Sequence, residues 1–282
     1  MKQKKKWFAL FALLPFAVLV IAFEIVPLIG MVMDSFQFDG AQTYTLHHYV
    51  SALTNPYYFK GMTNSLLISL YSSLIGIVIA LCASYSITQM PKKIQTLMIT
   101  FSNMTSNFSG IPLAFAYIIL LGTSGVFTLL AKDLGWNILS SFDLYSWSGL
   151  VVVYVYFQVP LAILLLYPTY SGIHKSWRES ASLLGASTFQ FWRYIGLPVI
   201  FPSVVGTFSI LFANAMGAYA TAYALMGGTY NILPIRIGAL VSGDVVSQPH
   251  LGSALAVILG LMMIGAMWFN ERMMRRVRRD LR

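Results

Sequence analysis

Residues 179–198 read ESASLLGASTFQFWRYIGLP and lie between two long apolar segments. The local pattern predicts two short helices. Ser176 with Glu179, and Ser187 with Gln190, each have the spacing of a capping box, in which a hydroxyl and a carboxylate or amide bond the first free N–H groups of a helix. We therefore expect one helix to begin near Ser176 and a second near Ser187.

A turn and a break are predicted in the same stretch. Gly185 suits the left-handed residue that ends a helix, and Pro198 indicates a break where the next apolar segment begins. Apolar side chains supply the faces of both helices: Trp177, Leu183, Leu184, Phe189, Phe191, Trp192 and Ile195. On these features alone, the segment could equally be a loop lying on the membrane surface, with Trp at headgroup level and Arg reaching for phosphate.

The composition of the whole chain is that of a membrane protein. Of the 282 residues, 57% are hydrophobic and 10% are charged, whereas soluble domains carry about 25% charged residues. Mean hydropathy is +0.72. The single cysteine, Cys82, excludes an internal disulfide. A water-soluble fold is therefore excluded, and the open question is how often the chain crosses a bilayer.

Six segments are long and apolar enough to cross the hydrocarbon core, which takes about 20 residues. They are residues 8–30, 62–88, 97–122, 147–170, 199–225 and 251–270. The basic, apolar start could instead be a cleaved signal peptide, but no small-residue cleavage site follows it. We predict a single all-α transmembrane domain over residues 1–282, with an uncleaved first helix, in the cell (inner) membrane.

The distribution of charge predicts the topology. Alternating the six spans places fifteen of the eighteen Lys and Arg residues on the side that holds both termini and the loop 171–198. Three remain on the other side: Lys60, Lys132 and Arg236. Because positive charge is retained in the cytoplasm, both termini and this loop are predicted to be cytoplasmic. Basic runs can also indicate nucleic-acid binding, but these abut apolar spans, and we expect no nucleic-acid partner.

The sequence lacks the motifs that are typical of several classes of function. There is no Gly-rich phosphate-binding loop and no H-E-x-x-H metal motif. No histidine falls within a predicted span, so no Ser–His pair for an intramembrane hydrolase is evident. A free-standing carrier driven by an ion gradient would show inverted repeats or ionisable residues at mid-membrane. We expect no enzyme activity on this chain.

Eight residues of the opening stretch, in this register, resemble the EAA loop of permease subunits in binding-protein-dependent ABC importers: Glu179, Ser180, Ala181, Gly185, Ala186, Ile195, Leu197 and Pro198. The departure from the family pattern is Ser180, which stands where the first Ala of Glu-Ala-Ala is expected. The loop falls between the fourth and fifth of six spans, as in the family, whose fold is MetI-like. The layout is most similar to spermidine/putrescine-type permeases.

The resemblance implies a mechanism and a set of partners. The loop would be a coupling helix that docks on a separate cytoplasmic ATPase dimer, with Glu179 as the charged contact. Gly185 would permit the bend, and Leu197 with Pro198 would join the loop rigidly to the fifth span. ATP-Mg would be bound by the ATPase, with no cofactor on this chain. A second permease subunit, expected to be a paralogue, an extracytoplasmic binding protein and membrane lipid complete the partners.

The resemblance also implies that the solute path lies between two permease subunits and is lined by spans three to five. The candidate lining residues are Asn107, Tyr117, Tyr154, Gln158, Asn214, Tyr219 and Tyr223. Each is also of a type that packs transmembrane helices together. No acidic residue lies in these spans. We expect a small polar solute of the polyamine type, with phosphonate, sulfate, thiamine and ferric iron as the alternatives.

Overall fold

A computed structural model describes residues 13–38, 41–136, 142–242 and 247–280. Within these ranges six helical segments are long and apolar enough to cross a membrane: Leu13–Asp34, Pro56–Thr88, Ile111–Asp133, Trp147–Ser171, Thr188–Met216 and Pro249–Arg272. The predicted class, an all-α protein with six membrane-spanning helices, is confirmed.

The helices and strands are numbered in chain order. They are α1 (Leu13–Asp34), β1 (Gln37–Phe38), β2 (Ala41–Tyr44), α2 (His47–Thr54), α3 (Pro56–Thr88), α4 (Lys92–Ser106), α5 (Ile111–Leu121), α6 (Val126–Asp133), α7 (Trp147–Ser171), α8 (Lys175–Leu183), α9 (Thr188–Met216), α10 (Tyr219–Met226), α11 (Leu233–Ser242) and α12 (Pro249–Asp280). The two strands form an antiparallel hairpin.

The second and fourth spans, α3 and α7, form the centre of the bundle. The face of α3 that is buried is rich in small residues, among them Ser65, Ser69, Ser72 and Gly76. Small side chains let two transmembrane helices approach closely, and hydroxyls bond across the contact. Apolar clusters fill the rest of the core, around Ile68, Leu113, Leu150, Tyr154 and Phe157 on one level and around Ile77, Ala162, Leu166 and Leu211 on the next.

The predicted third span, residues 97–122, is not one helix. α4 ends at Ser106 and α5 begins at Ile111, with Gly110 between them at φ 74°. This left-handed conformation favours glycine, and Pro112 in the first turn of α5 cannot donate a bond back to α4. The apolar segment that can span runs instead over Ile111–Asp133, with a turn at 122–125.

The predicted fifth span, residues 199–225, is interrupted as well. α9 begins at Thr188, ahead of the predicted start, and ends at Met216, and α10 continues from Tyr219. The interruption of the third span is bonded to the first turn of α10, because the Gly110 N–H donates to Thr221 Oγ1 at 2.9 Å. A break inside a membrane is tolerated where side chains satisfy the freed backbone groups, and this contact does so.

The loops at one end of the bundle carry five basic side chains: Lys92, Lys93, Lys175, Arg178 and Arg193. We call this the basic end; α3 and α7 finish there and α9 starts there. The opposite end holds the hairpin, α2 and the segment from the end of α10 to α11. The assignment of the basic end to the cytoplasm remains a prediction from charge.

Candidate functional site

The loop between α7 and α9 contains the first predicted helix, α8, with a different start. α8 begins at Lys175, its N-cap is His174, and no side chain caps it. The Trp177 N–H donates to the His174 carbonyl at 3.1 Å. The predicted capping box of Ser176 with Glu179 is therefore wrong. Ser176 already lies inside the helix, and Glu179 is left free for other contacts.

The turn after α8 is the one predicted at Gly185. Gly185 has φ 80°, its N–H donates to the Ser182 carbonyl at 3.0 Å, and the Ala186 N–H donates to the Ala181 carbonyl at 2.9 Å. These two bonds form a Schellman motif, which closes a helix by turning the chain back over its last carbonyls. The bend of the loop therefore depends on a left-handed residue at position 185.

Replacing Gly185 with alanine should loosen α8. A Cβ at this position would meet nothing within 4 Å, so the cost is conformational, about 1 kcal/mol for a left-handed L residue. Hydrogen exchange across residues 175–186 should then be about fivefold faster, since 1.4 kcal/mol corresponds to a factor of ten. The matched control is Gly206→Ala, within α9 and also with open space around its Cβ, which should slow exchange or leave it unchanged. Equal exchange in wild type and Gly185→Ala would contradict the Schellman assignment.

The second capping box is confirmed. The Gln190 N–H donates to Ser187 Oγ at 3.2 Å, and the Ser187 N–H donates to Gln190 Oε1 at 2.7 Å. The helix that starts here then runs directly into the fifth span. Pro198 does not break this helix, although it has no N–H to donate. The preceding turn, Trp192–Gly196, is π-helical, and this turn accommodates the missing hydrogen bond.

Trp192, in this π-helical turn, packs the loop against the helix bundle. Its ring centroid lies 5.2 Å from that of Tyr85 on α3 and 6.1 Å from that of Tyr170 on α7. A Cβ at Gly196 would lie 2.3 Å from Trp192 Cε3, so a glycine is needed for the ring to lie against the turn. Sequence reasoning missed this aromatic triad, since its members are far apart in the chain.

One face of α8 helps to form an apolar groove of about 570 Å³. Trp177 and Leu184 line this groove. Four residues of the predicted EAA-like pattern line it as well: Ser180, Ala181, Ala186 and Ile195. The small residues at positions 180, 181 and 186 leave this groove open. The spacing of the pattern therefore shapes the groove as well as the helix. At the tip of the loop Leu183 and Leu184 are 89% and 88% exposed.

Glu179 lies on the other face of α8, beside Lys175 and Arg178. Its carboxylate is exposed and has no hydrogen bond or ion pair to the described part of the chain. Leu197 is exposed and Pro198 is half-buried, and both lie in α9 just after the π-helical turn. The loop thus presents an unpaired carboxylate and a bare apolar surface, a combination typical of a site that binds another protein.

Among the candidate path residues, Tyr154 and Gln158 prove to be packing residues. They are 2% and 0% exposed. Tyr154 Oη donates to the Ala218 carbonyl at 2.8 Å, at the interruption of the fifth span, and Gln158 Nε2 donates to Ser72 Oγ at 3.0 Å. Side chains enclosed within one chain cannot line a path between two chains. Tyr117, half-buried, packs its ring against Tyr156 at 5.6 Å.

The remaining candidates are exposed. Asn107 lies at the interruption of the third span, and its side chain donates to the Asn103 carbonyl at 2.8 Å. Asn214 is exposed on α9. Tyr219 and Tyr223 place their rings 5.4 Å apart on α10. These four side chains are free to face a partner subunit or a solute. Across the described residues, no group of three or more His, Cys, Asp or Glu is placed to hold a metal ion.

A network at the opposite end was also missed from the sequence. The Arg236 guanidinium donates to Tyr57 Oη and to the carbonyls of Gly228 and Tyr230, the latter two at 2.8 Å. The Asn231 amide donates to the Tyr57 carbonyl at 2.8 Å. Together these bonds hold the segment between α10 and α11 against the start of α3. Asn231 and its partner Tyr57 on α3 are 174 residues apart in the chain, so no local pattern could reveal the contact.

The fold and the loop together define a permease-type subunit that passes through the membrane several times. The chain belongs to the family of binding-protein-dependent transport system inner membrane components, whose sequence model matches residues 72–279. The resemblance to permeases of ABC importers is thereby confirmed, as is the location in the membrane.

Relatives of two kinds match most of the chain. A spermidine/putrescine transport system permease protein of Escherichia coli K12 is 24% identical over 234 residues, 82% of this chain and 84% of the relative. A putative ferric transport system permease protein of Haemophilus influenzae is 23% identical over 270 residues, 94% of this chain. The chain spans about two fifths of the length of the ferric permeases it matches, 42% of this one and 39% of another from Actinobacillus pleuropneumoniae.

Solved structures share the fold. A bacterial ABC transporter involved in the import of the acidic polysaccharide alginate contains a chain that aligns with a TM-score of 0.76 at 18% identity, over 97% of this chain and 96% of that one. A chain of the methionine ABC transporter MetNI, in an inward-facing conformation, aligns with a TM-score of 0.60 at 19% identity, over 78% of this chain and 95% of that one. At these identities the comparison establishes the fold.

Proposed function

We propose that this chain is the transmembrane permease subunit of an ABC importer, forming half of the solute path and coupling ATP hydrolysis on a separate subunit to uptake. Family membership supports the proposal, and so does the register of the loop at the basic end. The chain itself carries no catalytic group in this proposal, and ATP-Mg is bound by the partner. Both termini and the loop face the cytoplasm.

The observation that carries the proposal is the exposed apolar tip of the loop. Leu183 and Leu184, nearly fully exposed, adjoin a groove formed by Trp177, Ala181 and Ile195. Burying two leucines is worth about 1.5–3 kcal/mol each. In the proposal an ATPase subunit covers this surface, and the exposed Glu179 carboxylate pairs with a basic side chain of the same partner.

A pair of permeases would enclose the solute path, the second being a paralogue, and an extracytoplasmic binding protein would deliver the solute. Asn107, Asn214, Tyr219 and Tyr223 are the residues of this chain that we assign to the path. They are polar and uncharged, which suits a small polar solute bound weakly in transit. The spermidine/putrescine relatives favour a polyamine, and the ferric relatives keep iron as the second candidate; phosphonate, sulfate and thiamine remain further alternatives.

The test is purification of the tagged full chain from its native host in a mild detergent, with mass spectrometry of the proteins that accompany it. We expect an ATPase, a second six-span permease and a binding protein, and the ligand retained by the binding protein would identify the solute. The chain recovered alone in repeated extractions would instead indicate a free-standing six-span carrier, and the proposal would then be wrong.

A further inference from the structure

Near the basic end, the second, fourth and fifth spans leave an apolar slot of about 440 Å³ open between them. Its walls include Leu81 and Cys82 on α3 and Leu197, Phe201 and Val204 on α9. The surface that lines the slot is almost entirely apolar. All of these residues lie in membrane-spanning helices, so the slot is at the depth of lipid acyl chains rather than in water.

A second, polar cavity of about 930 Å³ adjoins the slot. It lies between α8 and the connection from α3 to α4, and three cations line it: Lys92, Lys175 and Arg178. Glu179 is the carboxylate that lines it among the described residues. The residues at 175, 178, 179 and 182 form one face of α8, opposite the face that lines the apolar groove.

The slot and the cavity adjoin at the aromatic triad of Tyr85, Tyr170 and Trp192, which lines both. Aromatic side chains with one polar edge favour the boundary between headgroups and hydrocarbon. The order of surfaces is therefore apolar slot, aromatic boundary, basic cavity. This order matches one molecule that is apolar at one end and anionic at the other.

We infer that this combined site binds an anionic phospholipid of the leaflet at the basic end, with an acyl chain in the slot and the phosphate among Lys92, Lys175 and Arg178. A neutral apolar ligand would make no contact that uses the three cations, and a soluble anion would leave the slot unfilled. The Glu179 carboxylate repels the phosphate, but the three positive charges leave the cavity with a net positive charge. Because Trp192 and α8 belong to the loop, the bound lipid holds the base of the loop against α3 and α7.

The single cysteine provides a direct test, since Cys82 is exposed in the wall of the slot. The full chain is reconstituted in nanodiscs of phosphatidylcholine, or of an equimolar mixture of phosphatidylcholine and phosphatidylglycerol. The labelling rate of Cys82 by an apolar maleimide is then measured. Phosphatidylglycerol should slow labelling several-fold. Each basic residue facing an anionic headgroup contributes about a fivefold change in binding, so Lys92→Gln/Arg178→Gln should abolish the slowing.

The matched control is Lys93→Gln/Arg193→Gln, which removes the same two charge types from the same two loops but outside the cavity. It should label like wild type in both lipids. Glu179→Gln should strengthen the effect of phosphatidylglycerol, because it removes the opposing carboxylate. Monomodal size-exclusion profiles establish that each variant is folded.

Three results would overturn the inference: equal labelling of wild type in the two lipids, an unchanged phosphatidylglycerol effect in Lys92→Gln/Arg178→Gln, or the same slowing by glycerol phosphate added to phosphatidylcholine nanodiscs. The last would mean that the cavity binds a free anion and that no acyl chain is needed for the effect. None of these readouts depends on transport, so their failure leaves the proposed function unaffected.

Discussion

Replacing Glu179 with lysine is expected to abolish solute uptake while leaving the chain folded and inserted. The carboxylate is exposed and bonds to nothing in the described part of the chain, so its removal costs little internal stability. If it pairs with a basic side chain of an ATPase, reversal of its charge removes an attraction and adds a repulsion. Truncating one member of such an interfacial pair costs about 2–5 kcal/mol, or at least about thirtyfold in affinity.

The measurement is uptake of the solute by cells, together with ATP hydrolysis by the purified complex with and without the binding protein. The expected signature is lost uptake with hydrolysis that no longer responds to the binding protein. Asp133→Lys makes the same charge change at an exposed position of the opposite end and should transport normally. Normal uptake by Glu179→Lys would remove the basis for the coupling role of the loop.

Replacing Leu183 and Leu184 together with serine should release the ATPase without unfolding the permease. Both side chains are almost fully exposed, so polar replacements cost the isolated chain little. At a docked surface the same two leucines would contribute about 3–6 kcal/mol by burial, at about 1.5–3 kcal/mol each. We therefore expect loss of the ATPase from the purified complex, by roughly a hundredfold or more in affinity, and loss of uptake.

This prediction is checked by quantifying the ATPase that co-purifies with the tagged chain, alongside the thermal stability of the permease. Leu134→Ser is the control, since Leu134 is also mostly exposed but lies at the opposite end. Undiminished recovery of the ATPase with the Leu183→Ser/Leu184→Ser variant would place the docking surface elsewhere on the chain. A fall in thermal stability would show that the tip packs against the permease itself.

The sequence by itself determined the class of the fold and the place of the loop. Both rest on local signals: a run of about 20 apolar residues is needed to cross a bilayer, and loss of backbone bonds in hydrocarbon forces such a run to be helical. The turn at Gly185 and the capping box of Ser187 with Gln190 were equally local, because every bond in them joins residues within five positions of each other.

Only the tertiary structure decided the rest, because the deciding partners are distant in the chain. The third and fifth spans are interrupted where Gly110 meets Thr221 and Tyr154 meets Ala218, contacts over 111 and 64 residues. Tyr154 and Gln158 looked like path residues by type, and packing against the rest of the chain made them internal. The roles of the two faces of α8 also depend on neighbouring segments. The small side chains of one face form a groove, and the basic side chains of the other face form a cavity, only because other parts of the chain supply the opposing walls.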